Sequence, residues 1–316
     1  DRLRSRGLGD VYKRQEQILL KVAVSPVSIE GAVANLEAEM PDFDFDGTCV
    51  AADKSWNEEL AKIRVESTDG DKLKKFYTSL YHTMIMPTTF SDVDGSYRGA
   101  DGEVYKSDAP QYTNLSLWDT YRAEMPLLSI FQPDRSTEIV NSMVEIAERQ
   151  GRLPVWHLWG NETDCMVGNP GVIAVADAIV KGQDGIDRDK AYRALLKTAD
   201  DTIRGGGLRQ QYGFIPCDKF NSAIAFDMEY AIADAAVATA AKAMGDEENY
   251  KKYTERSHSY RNYFDATTGF MRGKMADGTW RTPFDPSSSN HKKSDYCEGN
   301  AWQYTWLVPH LSLIHI

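Results

Sequence analysis

Cysteine is scarce in this chain: four residues in 316, Cys49, Cys165, Cys217 and Cys297, with no pair at CxxC spacing. That excludes a zinc ribbon or finger and gives no support to a disulfide framework. Long apolar runs are missing too; none reaches the ~20 residues a helix needs to cross a bilayer. Positive charge is outweighed, with 36 Lys and Arg against 47 Asp and Glu and a formal net charge of −11. So acidic a chain is a poor partner for a phosphate backbone and suits a neutral ligand. Phosphate-cradling loops are absent: Gly205-Gly206-Gly207 lacks the following Lys-Ser/Thr and the strand before it. There is no HExxH, nucleophile elbow or His/Cys metal constellation. Among simple enzymatic options, carboxylate acid–base chemistry is what remains.

Both ends read as foreign. Leu311–Ile316 (LSLIHI) and Asp10–Gln15 (DVYKRQ) can be encoded by reverse-complementary DNA strings, a pair that resembles the transposon end used in sequencing adapters. Residues 1–15 and 311–316 are therefore set apart as artefacts, and Glu16–His310 is expected to be a fragment truncated at both ends. Removing the two segments takes Lys and Arg from 36 to 31 and Asp and Glu from 47 to 45, so the net charge moves from −11 to −14. At 42% hydrophobic and 11% aromatic residues, what is left can still bury a sizeable core.

Ile18–Ser25 is a short β-like run ended by Pro26. Ser28 is placed to cap a helix over SIEGAVANLEAEM, and PDFDFDG (Pro41–Gly47) reads as a linker. From SWNEELAKIRV onward the pattern is helical. Apolar spacing predicts helices over Asp71–Met86, Leu115–Phe131, Pro133–Gln150, Val172–Lys181, Arg188–Ile203, Ala223–Met244 and Glu247–Tyr263. Gly269–Arg281 reads as a hairpin turning at Asp277-Gly278. Periodicity alone fits an (α/α) toroid of helix pairs or an irregular helical bundle equally well.

Three segments combine acids, aromatics and carboxamides, the groups that grip a sugar's apolar face and hydroxyl rim. In Tyr296–Trp306 (YCEGNAWQYTW), one acid, two carboxamides and four aromatic rings fall in eleven residues. Glu298 is there a candidate proton donor for glycoside hydrolysis, or else a first-turn acid favoured by a helix dipole. In Ser116–Pro126 (SLWDTYRAEMP), Trp118 and Arg122 share a helix face. Asp119 is placed to accept sugar hydroxyls, or simply to pair with Arg122. Leu153–Pro170 (LPVWHLWGNETDCMVGNP) reads as a pocket-lining loop. It holds Trp156, His157, Trp159, Asn161, Glu162 and Asp164, with His157 equally explained as a hydrogen-bonded structural residue. Asn161-Glu162-Thr163 and Asn114-Leu115-Ser116 match glycosylation acceptors formally, but lie where buried or site-lining chain is expected.

Together, in this order, the segments resemble glycoside hydrolase family 92, the calcium-dependent exo-acting α-mannosidases. The likeness extends over SPVSIEGAVANLEAEMPDFDFD, SWNEELAKIRV, FYTSLYHTMIMP, SLWDTYRAEMPLLSIFQP, LPVWHLWGNETDCMVG and PFDP…YCEGNAWQYTWLVPH. It implies a mainly α fold, a partial (α/α)6 barrel over residues 47–310, with residues 16–46 as the tail of an N-terminal β-sandwich domain and its linker. It also implies hydrolysis of terminal α-mannosidic bonds with inversion, assisted by calcium. Glu298 matches the family's proposed general acid and Asp119 a residue on the terminal mannose; Trp118, Glu162 and Trp302 are expected to line the same pocket. The aspartates of the catalytic base and most of the calcium ligands belong to later motifs absent from this sequence, so the metal ligands are not assigned and the segment alone is expected to be inactive. The expected partner is a mannose-containing glycan, with no nucleic acid and no membrane span, in a secreted, periplasmic or cell-surface setting. Open alternatives are another (α/α)6 sugar hydrolase or a phosphorylase, and a non-catalytic glycan-binding module.

Overall fold

The computed structural model describes residues 19–290 and 293–310; the two end segments read as adapter-derived lie outside them. The helices start and stop where local chemistry dictates. Ser28 caps α1 (Ile29–Glu39) by accepting from the Gly31 N–H, Asp44 caps α2 (Phe45–Leu60), and Asp69 caps α3 (Gly70–His82). The stretch read as a linker is thus coil only as far as Asp44. Leu19–Ser25 forms no strand, and Leu20, Val22 and Val24 stand exposed. A run of β-formers without a neighbouring strand has nothing to pair with.

Residues 88–116 carry the short strands β1 (Thr88–Thr89), β2 (Ser96–Arg98), β3 (Val104–Lys106), β4 (Tyr112–Thr113) and β5 (Leu115–Ser116). β1 pairs with β4 and β2 with β3, both antiparallel. The segment predicted as one helix, 115–131, is broken into β5, a single turn α4 (Leu117–Thr120) and α5 (Glu124–Phe131). The break falls where Tyr121 and Arg122 turn towards a buried acid, a tertiary demand that overrides helical spacing.

The helical core follows. Pro133 opens α6 (Pro133–Gln150), which Gly151 ends in the left-handed region at φ 92°. A β-ribbon of β6 (Trp156–Leu158) and β7 (Asn161–Glu162) extends β5 into a three-stranded sheet, with Leu115 opposite His157 and His157 opposite Glu162. Next come α7 (Pro170–Lys181), α8 (Arg188–Ala199), α9 (Gly206–Tyr212), α10 (Ala223–Met244) and α11 (Glu247–Arg256). α9 was not foreseen from the sequence. The helix begun at Glu247 gives way after Arg256 to a 3₁₀ turn over Ser259–Asn262. β8 (Phe264–Asp265) and β9 (Phe270–Met271) form a hairpin. The Asp277-Gly278 turn occurs as expected, with Lys274 bridged to Trp280 and Gly278 at φ 87°. A last turn, α12 (Ala301–Tyr304), is capped by Asn300 with Gln303 reaching back.

α7 and α10 are apolar nearly all round and form the centre, whereas α6, α8 and α11 cover them with one apolar face each. The main core joins Leu117, Leu128, Ile139, Met143, Val172, Ile179, Leu195 and Val237. Small residues, Ala231, Ala233, Ala238, Ala240 and Ala241, let α10 pack closely on α7 and α11. A second cluster gathers Met228, Tyr263, Met271, Tyr296, Ala301 and Tyr304 under the C-terminal segment. The described residues are thus mainly α with short accessory strands, and none of their helices is long and apolar enough to cross a membrane.

Candidate active site

α10 carries an anomaly: within its apolar surroundings Glu229 is 2% exposed. Its carboxylate accepts from Tyr121 Oη at 3.0 Å and from Arg122 Nη2 at 2.6 Å. Burial pushes the Glu229 carboxyl above its ordinary range, and the Arg122 guanidinium pulls against that shift. Arg122 spans the Tyr121 and Trp118 rings, 4.7 and 5.5 Å from their centres. The indole N–H of Trp118 is buried beside the Glu229 carboxylate. The alternative reading of Arg122 as the partner of Asp119 is overturned.

The other two motifs reach the same acid. Gly168, at φ 76°, lies directly on the Glu229 side chain. Its loop is clamped by Arg204, which donates to the Gly168 and Met166 carbonyls, and by Arg152, bonded to Asp164 at 2.6 Å. From the C-terminal segment, Tyr304 Oη donates to the Cys297 carbonyl at 2.7 Å and accepts from the Cys297 N–H at 3.3 Å. Burial raises the Cys297 thiol to about 11, and the neighbouring Glu298, Cys165 and Glu229 add to it. Trp118 packs against the cluster that contains Tyr296 and Tyr304. Three segments far apart in sequence therefore meet around Glu229.

Each expected site residue has a definite place. Asp119 is exposed, its carboxylate held by the Ser116 hydroxyl at 2.7 Å. Glu298 is exposed in a loop, in the left-handed region at φ 49°, two residues before the Asn300 cap; it is not a first-turn acid. Trp302 is 57% exposed and meets Phe270 edge-to-face, ring centres 4.7 Å apart. Glu162 is inward-turned: its oxygens accept from the backbone N–H groups of Val155, Trp156 and Asp164 at 2.7–2.9 Å. It orders its own loop. His157 is buried, shares a hydrogen bond with Thr113 Oγ1 at 3.2 Å, and leaves Nε2 without a partner. Burial lowers it to about 4, so it is neutral at physiological pH. Of the glycosylation matches, Asn114 is buried and bonded to Thr88, whereas Asn161 is exposed at the β6–β7 turn.

Sequence reasoning missed two acids. Glu229 had a signal: Asp227, Glu229 and Asp234 interrupt an otherwise Ala/Ile/Met helix, and an acid there must be partnered. Glu124 had none. Burial, followed by the charge of Asp119, raises its carboxyl to about 7, and its Oε1 is buried without a hydrogen-bond partner. A cavity of about 890 Å³ lies elsewhere, between α8, α10 and α11, lined by Arg204, Arg209, Arg256, Asp200 and Asp234. Arg209 and Arg256 are already paired with Asp234, and Arg256 also with Asp200, while Arg204 is engaged by Asp164 and the Gly168 carbonyl; none of the expected site residues lines the cavity. Among the described residues, no three His, Cys, Asp or Glu side chains group to hold a metal ion.

A comparison with the curated proteins finds no match. Solved structures are similar. The family GH92 α-mannosidase BT3965 from Bacteroides thetaiotaomicron aligns with a TM-score of 0.86 and 37% identity over 90% of this chain and 38% of that one. The same enzyme in complex with mannoimidazole aligns at 0.86 and 36% over the same shares. The family GH92 inverting mannosidase BT2199 from Bacteroides thetaiotaomicron VPI-5482 aligns at 0.84 and 29%, over 90% and 40%. This chain thus spans about two fifths of the length of the structures it matches. The model of the glycosyl hydrolase family 92 catalytic domain matches residues 31–312, so the chain belongs to glycoside hydrolase family 92.

Proposed function

We propose that this chain is part of the catalytic domain of an exo-acting α-mannosidase, which hydrolyses terminal α-mannosidic bonds of glycans with inversion. In this reading residues 47–310 contribute to an (α/α)6 barrel, supported by the alternation of all-round apolar helices (α7, α10) with amphipathic ones (α6, α8, α11). Residues 16–46 lead in from a β-sandwich domain. The observation that carries the reading is the convergence of the three sugar-type motifs around one buried acid, Glu229. In this reading Glu298, exposed in the loop after Cys297, acts as the general acid towards the departing glycosidic oxygen. A carboxylate on the opposite side would activate water, roughly 6.5–9.5 Å from the donor in an inverting enzyme. Asp119 and Trp302, both exposed, offer a hydroxyl acceptor and an aromatic face. The bound mannoimidazole of a structural relative supports a mannose-like ligand.

Calcium is proposed as the ion of the complete site, since hard oxygen donors suit it. The described residues do not by themselves fit such a centre, because no three metal-binding side chains group among them.

The test uses the intact protein whose catalytic domain includes this chain. On an α-mannobioside with an alkyl-capped reducing end, whose poor leaving group needs the proton, proton NMR of the first-formed mannose should show the β anomer, and Glu298→Gln should lower turnover by roughly a thousandfold. Retained turnover in the variant, or α-mannose as first product, overturns the assignment. Dependence on phosphate would move it to a phosphorylase, and mannose binding without hydrolysis to a glycan-binding module.

A further inference from the structure

Glu229 matches none of the roles assigned above, yet two of the motifs touch it and the third lies beside it. Arg122 has an exposed acid three residues away in Asp119, but its guanidinium goes inward to Glu229 instead. The helix that spacing predicts over 115–131 breaks at residues 121–123, where Tyr121 and Arg122 make that turn. Asp119 is thereby left facing solvent, with the Ser116 hydroxyl on one oxygen. Burying a carboxylate costs several kcal/mol, and an apolar packing of similar volume is often at least as stable. A charge kept at this cost, hydrogen-bonded to one motif and packed against a second, is better explained by what it aims than by stability.

We propose that Glu229 is a positioning residue: from the α10 wall it holds Tyr121 and Arg122, and so fixes the Trp118–Asp119 turn relative to the Cys297–Glu298 loop. The inference rests on the mannosidase reading for what the turn is aimed at, a sugar ring. The hydrogen bonds themselves do not depend on that reading.

The test compares Glu229→Gln, Tyr121→Phe and Arg122→Lys in the intact protein, with kcat and KM on an aryl α-mannoside and the thermal midpoint of each. Tyr121→Phe deletes one hydrogen bond and leaves the ion pair, so it should melt within a few degrees of the parent. It should nevertheless lose about tenfold in kcat/KM, and Glu229→Gln roughly a hundredfold, mainly in kcat. Combining the two should cost no more than Glu229→Gln alone, because they act through one contact. Kcat/KM within about twofold of the parent in folded Tyr121→Phe and Glu229→Gln overturns the proposal, as do losses that simply add. If Glu229→Gln shows no cooperative melt, Tyr121→Phe and Arg122→Lys decide. A parent without α-mannosidase turnover would sink the function reading, and amide exchange then decides the positioning. In Glu229→Gln, protection lost over residues 116–123 but kept in α6 and α8 supports it, and unchanged protection at 116–123 overturns it.

Discussion

A side chain at Gly168 would place its first carbon 2.5 Å from the Cβ of Glu229. The loop 153–170 can lie on the α10 wall only because that position has no Cβ, and its φ of 76° independently favours glycine.

Gly168→Ala should therefore lift the loop or strain the wall. The expected loss is about 2–3 kcal/mol, from crowding and left-handed strain together. Gly182→Ala is the control: its φ is 64°, but nothing lies within 4 Å of its built Cβ, so it should cost only about 1 kcal/mol. Urea midpoints at constant m-value measure both. Equal losses in the two variants would mean that contact with Glu229 is not what requires glycine at 168.

Glu124 gives a pH-dependent outcome. Its folded carboxyl is raised to about 7 from an ordinary 4.5, by burial first and then by Asp119. A raised acid is most stable protonated, so its contribution is fully present below pH 4.5 and is lost as pH climbs through 7. Glu124→Gln mimics the protonated form at every pH. Parent and variant should melt alike at pH 4, whereas at pH 8 the variant should be more stable. Allowing for solvent screening at a partly exposed site, the gain is about 1–2 kcal/mol. Thermal melts at the two values check it; a constant difference would mean that Glu124 does not titrate in this range.

The sequence made some boundaries plain and hid others for identifiable reasons. Helices 133–150 and 223–244 begin and end where predicted because Pro133 opens the first and Gly151 and Gly245 stop the two locally. The prediction at 115–131 misses because Tyr121 and Arg122 answer a partner 107–108 residues away, which no local pattern encodes. The three sugar-type motifs were legible as compositions, and their meeting point was not. Glu162 shows the opposite failure: an acid just after Trp159 and Asn161 resembles a ligand group, but backbone N–H groups of its own loop occupy its oxygens.

Arg209 sets the last prediction. It is 7% exposed and donates to Asp227 and Asp234, both at 2.5 Å, to Ser259 Oγ at 2.9 Å and to the Arg256 carbonyl at 3.0 Å. Asp227 is 0% exposed and also accepts from Tyr263 Oη at 2.8 Å and from the Ile215 N–H at 3.1 Å. α9, α10 and the 3₁₀ turn are thus joined through one guanidinium. Arg209→Met would keep most of the volume but leave buried Asp227 without a cation and Asp234 with Arg256 alone, costing about 3–5 kcal/mol. Adding Asp227→Asn and Asp234→Asn removes the stranded charge while keeping hydrogen-bonding groups for Tyr263 and Ile215. The triple variant should therefore recover at least half of the loss, which denaturant titration of the three proteins measures. Were the triple variant no more stable than Arg209→Met, the damage would lie in lost packing around the guanidinium rather than in unpaired charge, and the electrostatic account of this junction would fail.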